Sequence, residues 1–144
     1  MRRAVANECE RFVLDHIEHG KSFAVETTLR TTAAIDQAEL AHKSGFGTEM
    51  HFVATDSIAE NVARVVQRAQ AGGHGASERE IRTINHASVA NLRNAVDTFE
   101  RVRVYDSTTR WAPPRLVAVA RGGRLVRQGA TPAWLQAALG GGDG

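Results

Sequence analysis

The sequence predicts an α/β fold: a mostly parallel sheet between helices in three layers, finished by a β-hairpin and a short helix. Three observations predict it. Segments with helical spacing of apolar residues alternate with short apolar runs. Three of those runs stop at polar residues, Glu26-Thr27-Thr28, Thr55-Asp56 and Asp106-Ser107, and in open α/β sheets ligands sit beyond the carboxyl ends of the strands. Near the end, Arg121-Gly122-Gly123 separates two strand-like runs, as a hairpin turn does.

Residues 4–18 form the first predicted helix, with Val5, Cys9, Phe12, Val13 and Ile17 on its inward stripe and Gly20 placed to end it. Residues 22–25 read as a short buried strand. Thr31 or Thr32 can cap a second helix running to Lys43, with Ile35, Ala38 and Ala41 inward and Glu39 and Lys43 paired at i,i+4. Gly45 and Gly47 interrupt the chain before a strand at 50–54. Ser57-Ile58-Ala59-Glu60 is a capping box, opening a helix whose buried stripe is Ile58, Val62, Val65, Val66 and Ala69. Gly72-Gly73-His74-Gly75 makes a flexible break. A second capping box, Ser77-Glu78-Arg79-Glu80, starts a long helix through Ile81, Ile84, Leu92, Val96 and Phe99. A strand follows at 101–105, then the hairpin arms at 116–120 and 124–127, and a last helix at 132–139. One domain over 1–139 results, with 72–95 lid-like and 140–144 a disordered glycine-rich tail.

Composition narrows the function classes. The chain has 144 residues and a formal net charge of +2, with no apolar stretch long enough for a membrane span. That balance and the lack of a dense basic block give no reason to expect nucleic acid or membrane as a partner. Met1-Arg2-Arg3 leads into a charged amphipathic segment, not an export signal, so a cytoplasmic location is expected. The single Cys9 excludes an internal disulfide and reads as a small apolar side chain. His16 and His19 stand at i,i+3 without a completing carboxylate pattern, so no metal site is expected. Of eighteen basic residues only Lys21 and Lys43 are lysines, a bias that suits anion handling and that a GC-rich genome favouring arginine codons would equally produce.

Several constellations could carry chemistry. Hydroxyls after a strand, such as Thr27 and Thr28, commonly cap helices, but beside Glu26 they could also hold a polar ligand. Arg64 and Arg68 lie one helical turn apart and can aim at one anion. His74, within the glycine break, and Arg79 and Arg82 beyond it could close over phosphate.

Taken together, Glu26-Thr27-Thr28-Leu29, Arg64-Val65-Val66-Gln67-Arg68, Gly72-Gly73-His74, Ile81-Arg82, Ser88, Asn91-Leu92 and Tyr105-Asp106 resemble, in order and spacing, the zeta-toxin-like P-loop kinases related to UDP-N-acetylglucosamine kinase. The resemblance runs from about Ala4 to Trp134. It implies ATP- and magnesium-dependent phosphoryl transfer to a small hydroxyl-bearing acceptor, a nucleotide sugar among the candidates. Glu26, Thr27 and Thr28 would line the acceptor pocket. Arg64, Arg68, His74 and Arg82 would gather the ATP phosphates, and Asn91 and Asp106 would line the site or support it. Phosphoryl transfer is catalysed mainly by positioning and by fixed cations, which suits such a cluster.

The chain departs from the family pattern in two respects. No GxxxxGK[ST] string occurs in it, and the aspartate that serves the family as general base has no counterpart. The resemblance therefore implies a kinase domain truncated at its amino end and inactive alone, with no catalytic residue of its own. Loss of the central phosphate-loop strand should make the strands at 22–25 and 50–54 pair directly, or leave an open sheet edge that recruits a second copy or a complementary loop-bearing chain. A non-catalytic remnant that binds an anionic ligand or a partner, an antitoxin included, is the competing expectation.

Overall fold

The computed structural model describes residues 2–55, 78–108 and 112–139. Among them the elements run α1 (Arg2–Glu18), α2 (Ala33–Lys43), β1 (Glu49–Ala54), α3 (Glu78–Thr98), β2 (Arg101–Asp106), β3 (Arg115–Arg121), β4 (Arg124–Arg127) and α4 (Ala133–Ala138). The strands form one sheet in the order β1-β2-β3-β4.

Alternation in β1 places Met50 and Phe52 inward and leaves Glu49, His51 and Val53 outward. Parallel pairing sets Met50 beside Val102 and Phe52 beside Val104, so one face of the sheet is apolar across β1 and β2. Helices α3 and α4 supply the other half of this core. Leu92, Ala95 and Val96 of α3 meet Val102, Val104, Ala118 and Ala120, with Trp134 and Leu135 of α4 in the same cluster. Fully buried Ala95 adds no bulk between helix and sheet, which suits close packing there. Ile35 of α2 joins the same cluster.

Two expectations about the sheet are corrected. It is mixed, and among the described residues it is mostly antiparallel: β1–β2 is parallel, whereas β2–β3 and β3–β4 are antiparallel. The reason is connection length. A parallel return needs a crossover of about a dozen residues or more, and neither the short link from β2 to β3 nor the Gly122-Gly123 turn provides one. Both glycines adopt left-handed backbone, φ 57° and 81°, as a two-residue hairpin loop requires.

The strand expected at 22–25 does not form either; residues 21–29 have no regular secondary structure. A strand exists only where a neighbour accepts its ladder, and β1, the edge of the sheet, pairs only with β2 among the described residues. The segment is held by side chains instead. Phe23 lies 6.2 Å from the Phe12 ring, 5.9 Å from His16 and 6.1 Å from Phe46, tying it to α1 and to the loop before β1.

The helices fall close to their expected places. Val13 is fully buried on α1, but Phe12 is 44% exposed and Cys9 half-buried, so the stripe is narrower than the spacing implied. Ahead of α2, Thr31 Oγ1 accepts a bond from the Ala33 amide at 3.4 Å, whereas Thr32 donates to Asp36 at 3.3 Å. The helix at 57–71, the glycine break and the Ser77 cap lie outside the described residues, as does the tail. Among the described residues no helix is long and apolar enough to cross a membrane.

Candidate functional site

The Glu26–Leu29 stretch is built around a left-handed leucine. Leu29 has φ 56°, a conformation that costs a non-glycine residue about 1–3 kcal/mol unless its surroundings over-determine it. Here they do. The Leu29 side chain is 3% exposed and belongs to the main core. Its amide donates to Thr27 Oγ1 at 3.0 Å, and its carbonyl accepts from Asn91 Nδ2 at 2.9 Å. One residue earlier, the Thr28 carbonyl accepts a hydrogen bond from Ser88 Oγ.

Ser88 and Asn91 are one turn apart on α3, so a single helix face grips two successive carbonyls. This is a rigid base without secondary structure. From it the Glu26, Thr27 and Thr28 side chains face solvent. The Thr27 oxygen already accepts from an amide, which leaves its hydroxyl proton free to donate outward. Glu26 offers acceptor oxygens and Thr28 a hydroxyl that makes no side-chain bond among the described residues. Such a set complements a ligand that is itself rich in hydroxyls.

A second polar cluster caps the carboxyl ends of the parallel pair. Asp106 Oδ1 accepts from Trp134 Nε1 at 3.0 Å and from Thr108 Oγ1 at 2.6 Å. Thr55, 4% exposed, reaches Thr108 at 3.5 Å, and the Ser107 amide donates to the Ala54 carbonyl at 2.8 Å. The Asp106 carboxylate thus locks α4 to the strand end.

Asn91 and Asp106, named from the sequence as site-lining, both act as braces: one holds the loop that bears Glu26 to Thr28, the other holds Trp134. Arg64, Arg68 and His74 lie outside the described residues, and Arg82 lies within α3 with its side chain outside the description. His16 and His19 take up backbone carbonyls one turn back, from Phe12 at 2.7 Å and Asp15 at 2.8 Å. Among the described residues no group of three or more His, Cys, Asp or Glu side chains could hold a metal. Sequence reasoning missed the Trp134 bond to Asp106 and the left-handed Leu29. A tryptophan in a terminal helix could have signalled the first, since its buried ring needs an acceptor.

No protein-family model, curated protein or solved structure matches the chain.

Proposed function

We propose that this chain is the acceptor-binding portion of an ATP-dependent phosphotransferase of the zeta-toxin-like kind, acting on a small hydroxyl-bearing molecule such as a nucleotide sugar. The observation that carries the reading is the α3-braced stretch that presents Glu26, Thr27 and Thr28 together. A carboxylate beside two hydroxyls can fix the orientation of a sugar hydroxyl, and orientation is a large part of phosphoryl-transfer catalysis.

The residues assigned to phosphate, Arg64, Arg68, His74 and Arg82, enter this proposal from the sequence alone. ATP with magnesium would supply the phosphoryl group and neutralise its charge. The chain's own contribution is to bind and orient the acceptor. Because the 144 residues contain no GxxxxGK[ST] string, transfer is assigned to an assembly in which that loop is supplied.

The outer edge of β1 favours one form of that assembly. Among the described residues its outer side has no paired strand, and a strand added there, from another segment, a complementary chain or a second copy, would extend the parallel part of the sheet.

The test is calorimetric titration of the chain with UDP-N-acetylglucosamine, beside Glu26→Gln. Binding that weakens at least tenfold in the variant supports the assignment. Equal affinity in both proteins removes it.

A further inference from the structure

The sheet face opposite α3 and α4 carries a second feature, independent of the acceptor site. Cross-strand register places Arg101 beside Arg121, and Arg121 beside Arg124. With Glu49 of β1 beside Arg101, the row holds one carboxylate at its edge and then three arginines on three adjacent strands, stepped by about 5 Å. Like charges directly opposite one another destabilise a sheet. Among the described residues none of the three has a carboxylate within ion-pair distance, although Arg103 nearby is paired with Glu49 at 3.0 Å. A modest formal charge of +2 hides this local concentration.

The next rows on the same face are ring-bearing and apolar. His51, Arg103, Val119 and Val126 share one row, and Val53, Tyr105 and Leu116 the next. The His51 and Tyr105 rings lie nearly parallel, 15° apart in plane with centroids at 6.0 Å, and the edge of the His51 ring, through Nε2, meets the Glu49 carboxylate at 3.1 Å. Val53 is 53% and Val126 57% exposed, so the face is open. The arginine row lies at the amino ends of β1 and β2, the opposite end from Thr55 and Asp106.

We propose that this face binds single-stranded nucleic acid, its phosphates on Arg101, Arg121 and Arg124 and its bases against the His51 and Tyr105 rings. Charge complementarity argues for a polyanion. The rings beside the charges favour nucleic acid over an acidic peptide, because every base offers a π-face for stacking while carboxylates need only the arginines.

The test is fluorescence anisotropy of the full chain with a labelled oligouridylate of about twelve nucleotides, within the usual single-strand site range. Measured between 50 and 200 mM salt, the unmodified chain should show a log–log salt slope that falls by about 2 in Arg101→Gln/Arg121→Gln/Arg124→Gln, near 0.7 per lost phosphate contact. Replacing the ring with His51→Ala should weaken binding by about tenfold and leave that slope unchanged. Arg11→Gln, on α1, should alter neither quantity. Should the triple variant fail to fold, Arg124→Glu at the exposed hairpin carries the same test, with an expected loss of affinity and a lower slope. The proposal is overturned if the arginine variants bind like the unmodified chain. It is equally overturned if no binding is detected, or if polyglutamate displaces the oligonucleotide at equal charge while His51→Ala has no effect, the signature of an acidic-peptide site.

Discussion

The β3–β4 hairpin and the Glu26–Leu29 stretch both hold left-handed residues, but they hold them for different reasons. In the hairpin the conformation is local: Gly122 and Gly123 adopt positive φ at little steric cost, and two flanking strands close the turn. In the stretch before α2 the same region of backbone space is occupied by Leu29, which pays for it through burial and through bonds made some sixty residues away, by Ser88 and Asn91 on α3. A turn that folds itself is suited to linking strands. A loop held from elsewhere is suited to presenting side chains in a fixed array, because the Thr28 carbonyl and both polar groups of the Leu29 backbone are already bonded while the outward side chains are left over.

That contrast can be broken at either end. The largest effect is expected from Leu29→Ala. Truncating a buried core leucine costs about 2–5 kcal/mol, and chemical denaturation should show the loss, with protection of the residue 29 amide collapsing first in hydrogen exchange. Next is Asn91→Ala, which strands the Leu29 carbonyl and should cost about 1–3 kcal/mol. Exchange at the Leu29 amide should rise while the hairpin amides keep their protection.

The hairpin gives the reverse experiment. A Cβ on Gly123 would sit 3.7 Å from Asp97 Oδ1, an ordinary contact, so Gly123→Ala is penalised by its φ of 81° alone. A cost of about 1–2 kcal/mol is expected, measured by thermal melting, with exchange of the Leu29 amide unaffected.

The smallest effect concerns α1, which packs on Phe23. The pKa of His19 is raised above its ordinary value of 6.5, first by its hydrogen bond to the Asp15 carbonyl and then by the Asp15 carboxylate. A raised folded-state value means that the protonated form favours the fold. This contribution is present below the ordinary value and is lost as pH rises through the raised one. Asp15→Asn should move the His19 titration, followed by NMR, back toward 6.5 without reaching it, since the backbone bond remains.

Much of the fold could be read from local pattern. The spacing of Ile35, Ala38 and Ala41 located α2, the alternation of Met50 and Phe52 located β1, and Arg121-Gly122-Gly123 located the hairpin. Sheet direction was also open to reading, because the β2–β3 link is too short for a crossover. The segment at 22–25 was misread for a different reason. An apolar run fits a strand or an extended buried loop equally well, and the choice depends on whether a neighbouring strand lies beside it, which no local pattern encodes. Glu26, Thr27 and Thr28 stood out as a polar stop after an apolar run, but their bracing could not be read, since it depends on where α3 lands. The arginine row escaped notice because its members come from three strands and only register brings them together.

The most direct test of the account is an amide and side-chain NMR titration of the chain with UDP-N-acetylglucosamine. The account predicts shifts at residues 26–29 and at the Ser88 and Asn91 resonances. Saturating binding that leaves 26–29 unperturbed, or no binding at millimolar nucleotide sugar, would contradict it.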